Sequence, residues 1–326
     1  MAEATIRDVA RRAAVSVASV SRALNGLSNV HPDTRARVLA AAKDLGYVPH
    51  AGARSLSLAR THAIGVVLPD LHGEFFSELV RGLDREASSR GYHLLLSNMH
   101  DARDHAAQAL RAMRGRVDGL IVMAPHIDPA AVAAMLPASL PTVMINSPAG
   151  AAGTALRVDN HGGAQAIAHH LASIGCKRIV HIAGPEGNSD ATERLDGFRA
   201  ALPSSIELLV LPGDFTEQAG EQAVAALLQT DVTFDAIFAA NDMMALGALQ
   251  ALRAAGRDVP REVAVAGFDD VPLARYLSLT TIQVHMTELG SRAAARLVDI
   301  LDGRGSGPAD ELIPPALVVR GTTVTE

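Results

Sequence analysis

From residue 61 to its end, the chain alternates short apolar runs with stretches of helical period, and this restricts its fold more than any other feature. The apolar runs fall at 63–69, 92–98, 119–124, 142–145, 179–183, 208–211, 236–240 and 263–268. Strands that alternate with helices pair in parallel through right-handed crossovers, so an α/β core with parallel sheets is expected. About 265 residues is large for one doubly wound sheet, which implies two lobes. The Gly/Ala-rich stretch 147–153, with the residues just after it, is the best boundary between them, and segment 303–315 reads as a connection.

The first 60 residues have a different texture. They carry nine Lys and Arg against four Asp and Glu, although the whole chain has a formal net charge of −6. A basic head on an acidic body points to nucleic acid contacted by the head alone; the other reading is a solvated helix face. Three helices are expected within residues 1–48. Thr5 caps the first, with Asp8 three residues on, and Ile6, Val9, Ala10 and Ala13 share one face. Ser16 caps the second, which Asn25-Gly26 stops after Leu24. Pro32 starts the third, whose apolar stripe is Val38, Leu39, Ala42 and Leu45. Helix, short turn, helix is the geometry that lays a second helix in a major groove. Val20, Ala23 and Leu24 face inward on that helix, while Val17, Ala18, Ser21 and Arg22 face out. Arg22 can fork onto guanine, Val17 and Ala18 can touch thymine methyls, and Ser16, Ser19, Asn25 and Thr34 can bind phosphates. Thr5 and Tyr47 complete the candidates in the head. A plain helical bundle with Arg22 in water remains the alternative.

Ligands of open parallel sheets sit beyond the carboxyl ends of the strands. The residues there are Asp70, His72, Asn98, Asn146, Gly184, Asn241, Asp269 and Asp270, with Phe75, Phe76 and Phe215 nearby and Arg194 at the start of a helix. Carboxylates and amides that take hydroxyls bidentately, beside aromatic faces, make a carbohydrate-like pocket. Asn241 also suits a simple helix cap. Enzyme signatures are missing: no GxxxxGK[ST], HExxH or GxSxG occurs, and no GxGxxG follows the first strand. The histidines are scattered, and His161, His169 and His170 read as a helix surface, not a metal site. No cofactor is expected. Cys176 is the only cysteine, so no internal disulfide forms. No apolar run is long enough to span a membrane, and the N-terminus lacks a secretory pattern, so a cytoplasmic location without membrane contact is expected.

The motifs in order are TIRDVARRAAVSVASVSRALNG, TRARVLAAAKDLGYVP, ARSL at 53–56, IGVVLPD, GYHLLLSN, VDGLIVMAP, VDN at 158–160, HIAGP, RLDGF, AAND at 239–242, GFDD at 267–270 and LTTI. Together they resemble the lactose-repressor (LacI/GalR) family over essentially the whole chain. The resemblance implies a helix-turn-helix head (1–48), a hinge helix within 49–60, and a two-lobed core (61–326) similar to periplasmic binding proteins. Three crossings would divide that core into an N-lobe of 61–158 and 285–314 and a C-lobe of 159–284 and 315–326. It further implies a homodimer on pseudopalindromic double-stranded operator DNA. Ala53 and Leu56 would contact that DNA from the hinge, with Leu56 wedged into the minor groove, and Arg22 would read a guanine. The effector contacts it implies are His72, Phe75, Phe76, Asn146, Asp190, Arg194, Phe215, Asn241 and Asp269. The implied function is a transcriptional repressor controlled by a small molecule, most simply a sugar. A purine corepressor is the rival ligand, although segment 188–190 lacks the arginine that branch uses there. A binding protein without a regulatory role is the other alternative. His31 stands where the family prefers Ser or Thr as a helix cap.

Overall fold

The computed structural model describes residues 4–25, 30–48, 60–99, 103–137, 139–148, 153–305 and 307–324. The chain divides into two compact units: residues 1–63 with 115–118, and residues 64–114 with 119–326. The expected hinge, with Ala53 and Leu56, lies outside the described residues.

The first unit holds α1 (Ile6–Ala13), α2 (Val17–Leu24) and α3 (Pro32–Asp44). Thr5 and Asp8 form a reciprocal capping box, Ala14 ends α1 at φ 52°, and Ser16 Oγ accepts from the Ser19 amide at 3.1 Å. His31 does cap α3, through a long 3.4 Å contact from the Asp33 amide to its ring. Val9, Ala10, Ala13, Val20, Ala23, Val38, Ala41 and Ala42 make the core, with Ile6, Val15, Leu24, Val30 and Tyr47 packed on it. The expected stripe on α3 is therefore corrected. Leu39 is 51% exposed and Leu45 is 37% exposed, while Ala41 is buried in their place. Positions 38, 41 and 42 fall on one face at 3.6 residues per turn, and 39 falls beside it.

The second unit is built on two parallel sheets. One has the order β11 (Asp310–Ile313), β5 (Ala155–Val158), β4 (Thr142–Ile145), β3 (Gly119–Met123), β1 (Ala63–Leu68), β2 (His93–Asn98). The other runs β7 (Glu207–Leu211), β6 (Arg178–Ile182), β8 (Ala236–Ala239), β9 (Ala264–Ala266). β10 (Thr281–Gln283) and β12 (Ala316–Val318) pair antiparallel beside them. Every residue of β1 and β3 is buried, as strands covered on both faces must be.

Helices α4 (Glu74–Ser89), α5 (Arg103–Met113), α6 (Pro129–Met135) and α12 (Met286–Leu301) belong with the first sheet. α7 (Asn160–Ser173), α8 (Ser189–Ala201), α9 (Glu217–Leu227), α10 (Asp242–Ala254) and α11 (Pro272–Tyr276) belong with the second. α4 and α12 approach so closely that a Cβ on Gly290 would run into the Leu79 carbonyl. The chain passes between the sheets after β5, after β10 and after β11.

Two sequence expectations change here. Segment 303–315 is not a plain connection, because β11 lies within it and pairs with β5 from Asp310↔Ala155 to Ile313↔Val158. Between 147–153 and the first crossing lies one more strand of the first sheet, β5, so the chain leaves that sheet after Val158, in the residues just after the Gly/Ala-rich stretch. β5, β10 and β12 had no place among the expected strands.

Candidate functional site

A cleft of about 290 Å³ opens where the carboxyl ends of the two sheets meet. The loop after β1 supplies Asp70 and His72, and the start of α4 supplies Phe75 and Phe76. The second sheet supplies Asp190 and Arg194 from α8, Phe215 after β7, Asn241 after β8 and Asp269 after β9. Eight of the nine expected effector residues thus share one wall. Asn146 does not: it lines an adjoining cavity of about 140 Å³ and reaches the cleft through Asp190, to which its Nδ2 donates at 3.0 Å. Asp270 turns away as well, pairing with Arg320 at 2.7 Å and accepting from Gln283 at 2.8 Å. Asn98 does not line the cleft, and Gly184 contributes by being small, since a Cβ there would strike the Phe215 ring. Arg194 lies in the second turn of α8, not at its start.

At the centre stands Arg194, only 3% exposed. Its Nη1 donates to the Ala240 carbonyl at 2.6 Å and its Nε to Asn160 at 2.9 Å. Its Nη2 sits 3.2 Å from Asp269 Oδ1, an ion pair without a well-aligned hydrogen bond, so that buried oxygen keeps an open acceptor direction. The guanidinium lies 3.9 Å from the centroid of the Phe268 ring and 5.8 Å from that of Phe215, a cation held between aromatic faces. Asn241 caps α10 through the Met244 amide at 2.9 Å and also donates its Nδ2 to the Phe215 carbonyl at 2.9 Å. The cap alternative for Asn241 therefore holds together with its place on the wall.

Carboxylates outnumber cations in this wall. Burial raises Asp269 to about 6, with Arg194 pulling it down and Asp190 pushing it up. Burial likewise raises Asp190 to about 6, against the pull of Arg194. Burial and the nearby Asp269 hold Asp242 well above the usual carboxylate range. Backbone strain gathers at the same place. Asn146 (φ 46°), Phe215 (φ 72°), Asp269 (φ 115°) and Asp270 (φ 55°) all sit in the left-handed region that side chains avoid. Such strain persists only where surrounding contacts over-determine it, and it clusters at ligand clamps.

Contacts across the cleft hold the sheets together. His72 Nε2 meets Glu217 Oε2 at 3.3 Å, the Ser189 amide donates to the Pro125 carbonyl at 2.7 Å, and the Leu273 amide donates to Glu74 at 2.9 Å. Sequence reasoning missed Asn188, Asp214 and Thr216 on the cleft wall and Asn160 behind it. Each reads locally as a turn or cap residue.

In the first unit, Val17, Ala18 and Arg22 are exposed along α2, and Ser19, Ser21, Asn25 and Thr34 are half-buried around them. Arg22 Nε donates to its own helix at the Ala18 carbonyl, 3.2 Å away. Ser16 meets Ser19 at 2.9 Å. Thr5 is engaged in its cap, and Tyr47 packs against the helical core. Among the described residues, no His, Cys, Asp or Glu cluster could hold a metal ion, and no helix is long and apolar enough to cross a membrane.

The family model for lacI-family bacterial regulatory proteins matches residues 5–50, and that for a periplasmic binding protein-like domain matches residues 168–323. A ribose operon repressor of Halalkalibacterium halodurans is 33% identical over 98% of this chain and 97% of its own length. The chain belongs to the LacI family. Among solved structures, a lac repressor dimer bound to operator and the anti-inducer ONPF superposes with a TM-score of 0.89 at 28% identity, over 99% of this chain and all of that one. A LacI-family regulator from Enterococcus faecium with bound ribose gives 0.71 at 27% identity, over 80% of this chain and 98% of its own. The helix-turn-helix head and the periplasmic-binding-protein-like core of parallel sheets are thus those of a LacI-family regulator.

Proposed function

We propose that this LacI-family protein is a transcriptional repressor whose affinity for operator DNA is set by a monosaccharide bound in the cleft. The observation that carries the ligand class is the single guanidinium of Arg194 beside Asp190, Asp269 and Asn241, in a cleft also lined by Phe75, Phe76 and Phe215. A sugar ring offers hydroxyls to carboxylates and amides and a C–H face to phenyl rings. The cleft's about 290 Å³ is at the small end of ligand pockets, which suits one ring better than two.

The supporting arrangement for DNA is the exposed row Val17, Ala18 and Arg22 on the second helix of the head. Within this reading the head is 1–48, the linker 49–60 and the effector-binding core 61–326, and the protein acts in the cytoplasm as a homodimer on a pseudopalindrome. The eight effector residues that line the cleft, with Asn146 held behind them through Asp190, and the twelve DNA-contacting residues named above are its assigned sites.

The test is fluorescence anisotropy of the full chain with the DNA upstream of its own gene, titrated with D-ribose, D-galactose and D-glucose. Specific binding over random DNA, weakened or strengthened by one sugar, supports the reading. Specific binding that no sugar moves, but that a purine base moves, refutes the ligand class.

A further inference from the structure

Asn160 belongs to neither assigned site, yet it is 1% exposed and sits behind the cleft at a junction of the chain. It is the first residue of α7, two positions after β5 ends at Val158, where the chain leaves the first sheet for the second. Its Oδ1 accepts from Arg194 Nε at 2.9 Å, and its Nδ2 donates to Asp190 Oδ1 at 3.0 Å. Asp190 Oδ2 in turn accepts from Asn146 Nδ2 at 3.0 Å, and Asn146 Oδ1 accepts from the Val158 amide at 3.1 Å. The amide orientation of Asn160 is settled by these neighbours. Flipped, its NH₂ would face a guanidinium N–H and its oxygen would face a carboxylate, so both contacts would become repulsive.

We propose that Asn160 is a positioning residue that holds the Arg194 guanidinium in its ligand-binding place and ties that place to the crossover between the two sheets. This rests on the reading of the cleft as a sugar site. Nε is the guanidinium nitrogen farthest from the fork. Asn160 engages it, and the Ala240 carbonyl engages Nη1, so the plane of the group is fixed from behind. Nη2 is left at the edge shared with Asp269. An arginine free to rotate would lose entropy on meeting a ligand; one already held loses less. Few side chains could serve here. The position requires an acceptor for Arg194 and a donor for Asp190 on adjacent atoms, on a stem short enough for the first turn of α7.

The same logic supplies the test. A protonated aspartate reproduces asparagine at this site, its carbonyl accepting from Arg194 and its hydroxyl donating to Asp190. An ionised one sets two carboxylates about 3 Å apart, which favours sharing one proton taken from solvent. The charged groups around position 160 are Asp190, Glu193 and Arg194 on α8, Arg157 on β5 beside Glu193, Asp159 next in sequence and, past Arg194, Asp269. The full chain is titrated with whichever of D-ribose, D-galactose and D-glucose binds the wild type, between pH 5.5 and 9. Asn160→Ala is expected to bind about 10- to 100-fold more weakly at every pH, the cost of releasing a charge-assisted contact. Asn160→Asp is expected to lie close to wild type at pH 5.5 and to fall behind it progressively as pH rises. A role in stability alone would lower Tm and leave the ratio of affinities flat with pH, and that result would overturn the proposal.

A second readout needs no ligand. The Arg194 Nε–H, identified in ¹⁵N spectra by its loss in Arg194→Lys, is expected to be protected from exchange in the wild type and unprotected in Asn160→Ala. Protection retained in Asn160→Ala overturns the proposal. If the wild type binds none of the three sugars, the ligand class fails and the Nε–H measurement still decides the role of Asn160. If Asn160→Ala does not fold, the pH series on Asn160→Asp carries the test.

Discussion

Asp269→Asn changes one oxygen to an NH₂ in a side chain of the same shape, so it tests charge at the cleft without opening a cavity. In the free protein Asp269 is 4% exposed and its pKa is pushed to about 6 by burial. A sugar hydroxyl that donates to Asp269 prefers the ionised form, so the complex releases the proton that the free site holds. Below that pKa each pH unit lowers affinity about tenfold, so binding at pH 5 is about 10-fold weaker than at pH 8. Charge-assisted hydrogen bonds contribute about 1.5–3 kcal/mol, so Asp269→Asn weakens binding roughly 10- to 150-fold at pH 8.

The pH dependence is expected to flatten in the variant. Asp190 shares the guanidinium with Asp269, and losing that repulsion lets Asp190 ionise more readily. Stability in the absence of sugar runs the other way. A carboxyl whose folded pKa is raised above its ordinary 3.8 favours the fold below that value and loses this contribution as pH rises through about 6. The Tm of Asp269→Asn should therefore gain on that of the wild type between pH 5 and pH 8. Isothermal titration calorimetry in two buffers of different ionisation enthalpy measures the proton release directly. Zero proton release at pH 6, with a dissociation constant flat from pH 5 to 8 in the wild type, would refute an ionised Asp269 as the hydroxyl acceptor.

Three further outcomes are expected. Arg22→Ala should cost about 1–3 kcal/mol of specific operator binding and much less on random DNA, and equal losses on both in anisotropy titrations would make Arg22 a phosphate contact only. Leu39→Lys should change stability by no more than about 0.5 kcal/mol in urea titration, because the side chain is half in water; a loss of several times that would return Leu39 to the core. Gly290→Ala should cost about 1–3 kcal/mol by calorimetry, since its methyl would meet the Leu79 carbonyl, and an unchanged Tm would show that α4 and α12 can part at no cost.

The head was legible because its determinants are local. Thr5, Ser16 and Pro32 act within one helical turn of themselves, and each begins a helix where expected. The error at Leu39 came from size: a leucine outweighs an alanine in any apolar pattern, yet three packed helices this short leave room on α3 only for Ala41 and Ala42 beside Val38. In the core, fully apolar runs announced β1 and β3, while β11 was hidden by Asp310 and Glu311, which face cations as an edge strand permits. Asp310 accepts from Arg157 at 3.0 Å, and Glu311 binds Arg292 and Arg296. The strand-end rule located the cleft, but not the direction of each side chain. Asn146 lies at a strand end like the others, and there its amide bonds Asp190 and the Val158 backbone instead of lining the wall. Asn160 was illegible for a different reason. It follows the capping Asp159 and reads as an ordinary first-turn residue; only the packing of α8 on α7 brings Arg194 to it, 34 residues later.

The charge balance of the cleft also limits what it can accept. Arg194 is buried and paired with Asp269, Asp190 lies within its electrostatic reach, and Asp70, Glu186 and Asp214 also line the cleft. A phosphorylated or carboxylated ligand would bring negative charge into a site where burial already raises Asp190 and Asp269 to about 6 and their charges add to the cost. Its one cation would have to leave Asp269 to meet it, exposing an unpaired buried carboxylate, which is the costly way to break a buried pair. A neutral polyol asks for no such exchange. Its hydroxyls can donate to Asp269 and accept from Arg194, leaving the bonds to Asn160 and Ala240 in place. The cleft thus discriminates by charge before it discriminates by stereochemistry, and the phosphate ester of the sugar that binds should bind at least about tenfold more weakly than the sugar itself. A phosphate ester that competes equally in calorimetry would mean that Arg194 is more available, and the carboxylates more fully protonated, than this geometry allows.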